Sequence, residues 1–496
     1  VRRIWFLGAV VLLAATAWLA LAAAPGRRRP TSRIPGVVLI CLDTLRADGI
    51  DAGPGTEGLP SLRAFAAGGT RFTDAVAPSS WTGPSVATIV SGLEPWTHGV
   101  LEISDAARLP ASVPTLASMF LAAGWSTAAL TGGGWLGDGG GVPAGFETYA
   151  PDFDEAPPEA SVARWASRRP LDRPFFLFLH TYAPHDPYGD KAVARSGACA
   201  PEALAAGEPL AAELAMLDPA AVSGDGPWVA RYVRARYGDP CATSALRRRL
   251  GRPRFDAFVD RCWPWLDGGW RDDPEGPATV AALRAAYFGP GLASVDARLA
   301  ATFAALADLP ADTVVVVVSD HGEAFGEHGP LYHARFLHPE LTRVALVARG
   351  PGFPAGAVVG GTCGLVDVAP TLLEVAGLAP ARPLDGRSLL PLVRDRGAGH
   401  PVASIVVPRP DLPSAGKSLG VRATVRDATR AWAATYDLST RAWRDERWFD
   451  RVADPEEHAP LRDGAPSPVM AAAVARTRAA VAARSLRLAP ALPPGR

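Results

Sequence analysis

Lysine is almost absent from this 496-residue chain: Lys191 and Lys417 are the only two, so arginine supplies nearly every other fixed positive charge. Basic and acidic residues balance at 50 each, which leaves no overall field of the kind that draws basic proteins to nucleic acid. No nucleic-acid partner is expected. Cysteine is scarce too. Cys41, Cys199, Cys241, Cys262 and Cys363 include no C-x-x-C pair, which argues against a structural zinc site. Three of them share one arginine-rich segment. If that segment lies outside the cytoplasm, one disulfide among Cys199, Cys241 and Cys262 fits it as well as three buried thiols do. No internal repeat is visible, and the length suits one large core with a smaller appendage.

Charge is also missing from Ile4 to Ala24. As a helix rising about 1.5 Å per residue, this stretch would be about 30 Å long, enough to cross a hydrocarbon core. Residues 1–34 are therefore expected to form a transmembrane anchor or a signal segment, with the catalytic part outside the cytoplasm. The anchor is favoured because the apolar run exceeds the ~7 to 15 residues of a signal h-region. Arginines flank it on both sides, so the charge rule leaves its orientation open.

Apolar runs that end in a polar residue are what the sequence does contain. Val37 to Leu42 precede Asp43, Phe175 to Leu179 precede His180, and Val314 to Val318 precede Ser319 and Asp320. These read as buried parallel strands. Helical patterns at Pro60 to Ala67, Val113 to Ala123 and Gly291 to Leu309 lie between them, which is the alternation of a doubly covered α/β sheet. Ligands of such sheets sit beyond the strand carboxyl ends, a rule that brings Asp43, His180 and Asp320 to one edge. Residues 35–396 form the expected catalytic domain, interrupted at 189–277 by a segment rich in Arg, Trp, Pro and Gly. This insertion is read as a lid over the sheet edge or as a purely structural excursion. Residues 397–465 suggest a small antiparallel sheet, and 466–496 a C-terminal helix and tail.

Three places carry chemistry. Asp43 closes the first strand. Asp320 and His321 close the valine strand and run into a glycine-containing segment, offering oxygen and nitrogen donors suited to Mn, Mg, Ca or Zn. Thr82 stands just ahead of a short helical pattern with Pro84 near its start and Gly92 as its stop, where a helix N-terminus favours an oxyanion. A threonine hydroxyl is a poor nucleophile unless a base or a metal ion activates it. The plainer role for Thr82 is to cap the helix.

Asp43-Thr-Leu-Arg-Ala-Asp48, Thr82-x-Pro84-Ser85 with Ser91-Gly92 and His98-Gly99, Pro184-His185-x-Pro187-Tyr188, and Ser319-Asp320-His321-Gly322-Glu323 together resemble the sulfatase family. The resemblance runs from about Pro35 to Leu461 and is weakest over the insertion. It implies an alkaline-phosphatase-like α/β sandwich with a central mixed, mostly parallel sheet, and one divalent metal ion (Mn, Zn, Ca or Mg). It also implies metal ligands Asp43, Thr82, Asp320 and His321, with Thr82, His185 and His333 as catalytic groups and His180 and His98 behind them. Two departures stand out. The family's sulfatase motif begins with a Cys or Ser that is oxidised to formylglycine and ends in Arg, whereas Thr82 and Val86 occupy those positions here. Threonine cannot become that aldehyde, and it resembles instead the phosphodiesterase and phospho-group transferase relatives. Thr44 replaces an aspartate common in calcium-dependent members. The expected activity is cleavage of sulfate or phosphate esters of a small molecule, lipid or glycan, with phosphodiesters or phosphonates favoured. The rivals are a membrane-anchored transferase and a catalytically idle envelope binding protein.

Overall fold

The computed structural model describes residues 34–51, 58–101, 107–137, 140–407, 420–462 and 466–488. The expected anchor lies outside them. Among the described residues no helix is long and apolar enough to cross a membrane.

The large sheet is built from β1 (Gly36–Leu42), β2 (Thr70–Val76), β3 (Ser126–Leu130), β4 (Thr148–Ala150), β5 (Phe175–Thr181) and β6 (Val314–Ser319). The short hairpin β7 (Ala324–Phe325) and β8 (Leu331–Tyr332) follows, and β9 (Arg343–Arg349), β10 (Ala357–Val359) and β11 (Cys363–Gly364) complete the sheet. Its order is β10-β2-β9-β6-β1-β5-β3-β4, with β11 beside β2. Among the described strands only β9 runs against the rest, pairing antiparallel with both β2 and β6. The sheet is thus mixed and mostly parallel, as expected.

Both faces are apolar, which explains the unbroken hydrophobic runs. Val38, Ile40 and Leu42 point into one core with helices Pro60–Ala67, Pro158–Ala166 and Leu292–Leu306. Val37, Leu39 and Cys41 point into the other, with helices Thr82–Ser91, Leu116–Ala122 and Val368–Ala376. The helix expected from Val113 begins at Leu116 because Thr115 and Ser118 form a reciprocal capping box. Gly92 ends the Thr82 helix at φ 69°, a left-handed conformation that favours glycine.

Between β5 and β6 the described chain is helical, from Lys191–Ser196 to the final helix Leu292–Leu306. Cys199 and Cys241 are bonded across 42 residues of this segment, while Cys41, Cys262 and Cys363 are buried thiols. The second sheet is antiparallel: β12 (Val402–Val406), β13 (Gly420–Arg426), β14 (Arg430–Asp437) and β15 (Ala442–Asp450) in that order. The helix Pro468–Leu488 packs on one of its faces through Met470, Ala473 and Val474.

Candidate active site

Strand register assembles the site. Cys41 is level with His180 on β5 and with Val318 on β6, so the next polar residues of all three strands emerge at one edge. Asp43, Thr82, His180, Asp320 and His321 are all buried there. Thr44 takes a left-handed conformation (φ 57°), and its amide donates to Asp320 Oδ1 at 3.1 Å. The His321 amide donates to the same oxygen at 2.8 Å. Gly322 lets the chain turn away, since a Cβ there would lie 2.1 Å from the Glu340 carbonyl.

These contacts leave particular atoms without partners. Asp43 Oδ1, Asp320 Oδ2 and both ring nitrogens of His180 are buried and make no hydrogen bond. One donor atom from each of Asp43, His180 and Asp320 lies within 4.8 Å of the others. Burial and the neighbouring Asp43 push the Asp320 carboxyl up to about 6. Burial also acts to raise Asp43, but His180, His185 and His321 outweigh it and hold this carboxyl below the usual range. Two adjacent buried carboxylates beside an imidazole repel one another, and a divalent cation removes that conflict. The oxygen and nitrogen donors fit such an ion.

Thr82 Oγ1 sits at the edge of this group, donating to Asp43 Oδ2 at 3.0 Å and lying 3.4 Å from His321 Nε2. The helix starts at Thr82 itself, with Trp81 before it and no side-chain cap, so the hydroxyl is turned to the carboxylate instead of to the helix amides. His321 is held by its Nδ1 contact to the Gly322 carbonyl (3.0 Å), with Nε2 3.6 Å from Asp320 Oδ2. His180, expected behind the ligands, lies among the candidate donor atoms. His180 belongs to the three-residue donor group, with Nε2 3.7 Å from Asp43 Oδ2, because β5 ends level with β1.

His333 and His185 line the other side, with their rings 5.1 Å apart. Tyr332 and Ala334 flank His333 with φ 72° and 74°, a strained arrangement held by the Ala334 amide on the Ser80 carbonyl. His333 Nδ1 lies 3.0 Å from Glu323 Oε1, Tyr188 donates to Glu323 Oε2 at 3.1 Å, and His333 Nε2 has no partner. Burial raises Glu323 and lowers His333, the directions of a neutral pair. His185 differs. Burial pulls it down, but Asp186 Oδ1 at 2.8 Å pushes it up to about 9, so it is a cation at neutral pH. Asp186 also accepts from Tyr332 at 3.1 Å and pairs with Arg236 of helix Val229–Gly238. His98 ends the next short helix, Pro95–His98, and lies 3.0 Å from Thr88 Oγ1 of the Thr82 helix, where burial drives it down to about 3. It braces the helix as a neutral imidazole.

Glu323, Tyr188 and Asp186 lie inside motifs quoted above, yet nothing in the sequence paired them with particular histidines. Arg236 carries no motif and is found only through its contact.

The family model described as Sulfatase matches residues 35–378. The chain belongs to the sulfatase family. Human arylsulfatase K is 39% identical over 112 residues, which is 22% of this chain and 20% of the relative, so the chain spans about a fifth of that relative's length. Among solved structures, the phosphonate monoester hydrolase of Agrobacterium radiobacter has a TM-score of 0.60 at 20% identity, covering 91% of this chain and 96% of its own. BT4656, solved with its substrate D-glucosamine-2-N,6-O-disulfate, has a TM-score of 0.62 at 17% identity, covering 92% of this chain and 97% of its own. These two likenesses establish a shared fold. Within this family member, the Thr82 hydroxyl donates to Asp43 of the candidate metal group and Val86 is a fully buried core residue.

Proposed function

We propose that the protein cleaves phosphate and sulfate esters through attack by Thr82 Oγ1, with phosphodiesters and phosphonate monoesters favoured over sulfates. The observation that carries this reading is the Thr82 hydroxyl at 3.0 Å from Asp43, beside buried oxygen and nitrogen atoms that lack partners. Asp43, His180 and Asp320 would hold a divalent cation, which when bound would supply Lewis acidity beside the Thr82 hydroxyl, and the Thr82 proton would leave along its hydrogen bond to Asp43 Oδ2. Asp43 and His321 fix the direction of Oγ1. A new Oγ1–P bond forms as the bond to the leaving oxygen breaks, and His333 Nε2, with Glu323 behind Nδ1, donates the proton that oxygen needs. His185, kept cationic by Asp186, meets the charge on the non-bridging oxygens. Water then attacks the Thr82 ester and frees the hydroxyl.

Threonine underlies the phosphorus preference. A sulfated formylglycine hydrate expels sulfate by collapsing to the aldehyde, a route closed to Thr82, whereas a phosphoryl ester tolerates direct attack by water. The Cys199–Cys241 disulfide suits an oxidising compartment, and with residues 4–24 as an anchor the ester would belong to a lipid, glycan or small molecule at a membrane surface. The test is a panel of aryl sulfate, phosphate monoester, phosphodiester and phosphonate substrates given to wild type and Thr82→Ala. Diester or phosphonate turnover above sulfate turnover, lost in the variant, supports the proposal. Sulfate as the best substrate, or full activity in the variant, overturns it.

A further inference from the structure

The two faces of the C-terminal sheet differ. One is apolar and packs on helix Pro468–Leu488. The other carries Arg422, Arg426, Arg444 and Arg447 toward the segment Phe336 to His338, with a cavity of about 320 Å³ between them. That segment begins three residues after His333. Arg422 donates to the Arg335 carbonyl at 2.6 Å and Arg426 to the Leu337 carbonyl at 2.6 Å, so the cavity wall and the histidine share one braced loop.

The four guanidinium charges are unequally met. Arg426 forms a two-point pair with Glu457 at 2.6 and 2.8 Å, and Arg444 faces Asp437 at 3.3 Å and Asp445 at 2.5 Å. Among the described residues no carboxylate comes within 4.0 Å of Arg422 or Arg447. Arg422 stacks 4.4 Å over the Phe336 ring and uses one of its donors, on the Arg335 carbonyl. A guanidinium has five N–H donors in a planar fork that matches tetrahedral oxyanions. Three carboxylates, Asp437, Asp445 and Glu457, face Arg444 and Arg426, and Arg422 and Arg447 are left to the cavity. The field is felt nearby. Burial and Arg335 draw Arg422 down to about 10, and burial with His328, Arg426 and Arg422 draws His338 down to about 3.

We infer that this cleft binds a phosphate or sulfate group, with Arg422 and Arg447 as its principal donors. Three extended residues span at most about 11 Å, so Phe336 stays within that reach of His333. A substrate with a second anionic group can therefore occupy both places, while a free oxyanion would occupy the cleft alone. The assignment of the cleft to a second substrate group rests on the proposed ester chemistry. Anion binding itself does not.

The test is calorimetric titration of the metal-loaded full-length protein with inorganic phosphate, fructose 6-phosphate and fructose 1,6-bisphosphate, repeated on Arg447→Glu and Arg422→Gln. The Arg447 residue is exposed and its side chain makes no hydrogen bond or ion pair among the described residues, so its variant keeps the wild-type melting temperature. The expected result is at least a tenfold loss of bisphosphate affinity in Arg447→Glu, with kcat and KM unchanged on a singly charged aryl phosphodiester. Loss confined to the bisphosphate assigns the cleft to a second group of the substrate. Loss for inorganic phosphate as well assigns it to a free oxyanion. Unchanged affinity for all three ligands in both variants overturns the inference. Absence of aryl diester turnover in wild type would count against the proposed function, while the binding data would still decide the cleft.

Discussion

The edge of the large sheet and the helical segment after β5 border the same site but are held by different forces. At the edge, Asp320 is fixed by two backbone amides and Asp43 by its own amide on the Thr181 carbonyl, so the register of parallel strands sets their positions. The helical segment has no strands to set it. Trp228, Tyr232, Phe255 and Phe258 pack among themselves, Cys199 and Cys241 close a covalent loop, and the ion pair of Arg236 with Asp186 reaches toward the chemistry. Reacting groups thus sit where backbone placement is most rigid, and the helical segment acts on them through an intermediary, Asp186 and then His185. Lesions at the edge should abolish the reaction, and lesions in the helical segment should tune it.

The largest expected effect is at Thr82. Thr82→Ala lowers kcat on an aryl phosphodiester by about 10⁴- to 10⁶-fold, in the range seen when a nucleophile is removed. Steady-state turnover checks this, and a loss below tenfold would break the distinction at its centre. Next comes the metal. Chelation abolishes turnover and added divalent ion restores it in wild type, while Asp320→Asn retains little metal in elemental analysis and is not rescued. Glu323→Gln and His333→Ala follow, with losses of about 10²- to 10⁴-fold for alkyl leaving groups and smaller ones for nitrophenolate, which needs no proton.

Asp186→Asn belongs to the tuning class. Asp186 raises His185 to about 9, so the cation persists up to that pH and is lost above it. Removing the carboxylate moves the alkaline limb of kcat/KM from about 9 toward the ordinary histidine value of about 6.5. The stability linked to His185 has the same sign: it is fully present below the unfolded-state pKa and is lost as pH rises through about 9. Lys191→Met shifts the profile in the opposite, alkaline direction, since Lys191 is the cation that opposes a charged His185. The smallest effect on chemistry is expected from the disulfide. Reducing Cys199–Cys241, a loop of 42 residues, costs about 2 to 4 kcal/mol in thermal unfolding and leaves kcat nearly unchanged.

The edge was legible because each of its strands is an unbroken apolar run that stops at a polar residue, a pattern that needs no long-range information. Asp43, Asp320 and Thr82 converge as that reading expects. The place of His180 beside Asp43 was not legible, because it depends on how far β5 extends beside β1, which is a matter of register and not of local pattern. β15 is not legible in the sequence for a different reason. Its residues Ala442 to Asp450 are mostly polar and partly exposed, as an outer strand allows, so the period-two apolar signal is missing. Arg236 and Asp186 are 50 residues apart and meet only after the helical segment has packed.

Trapping is the most direct test of Thr82 as the attacking group. Metal-loaded protein is incubated with an activated aryl phosphonate that forms a slowly hydrolysed ester, and intact-mass and peptide mass spectrometry locate the adduct. The account predicts one phosphonyl group on Thr82, absent from Thr82→Ala and from metal-stripped protein. Product release with no adduct on Thr82, or an adduct on another residue that turns over at the catalytic rate, would contradict it.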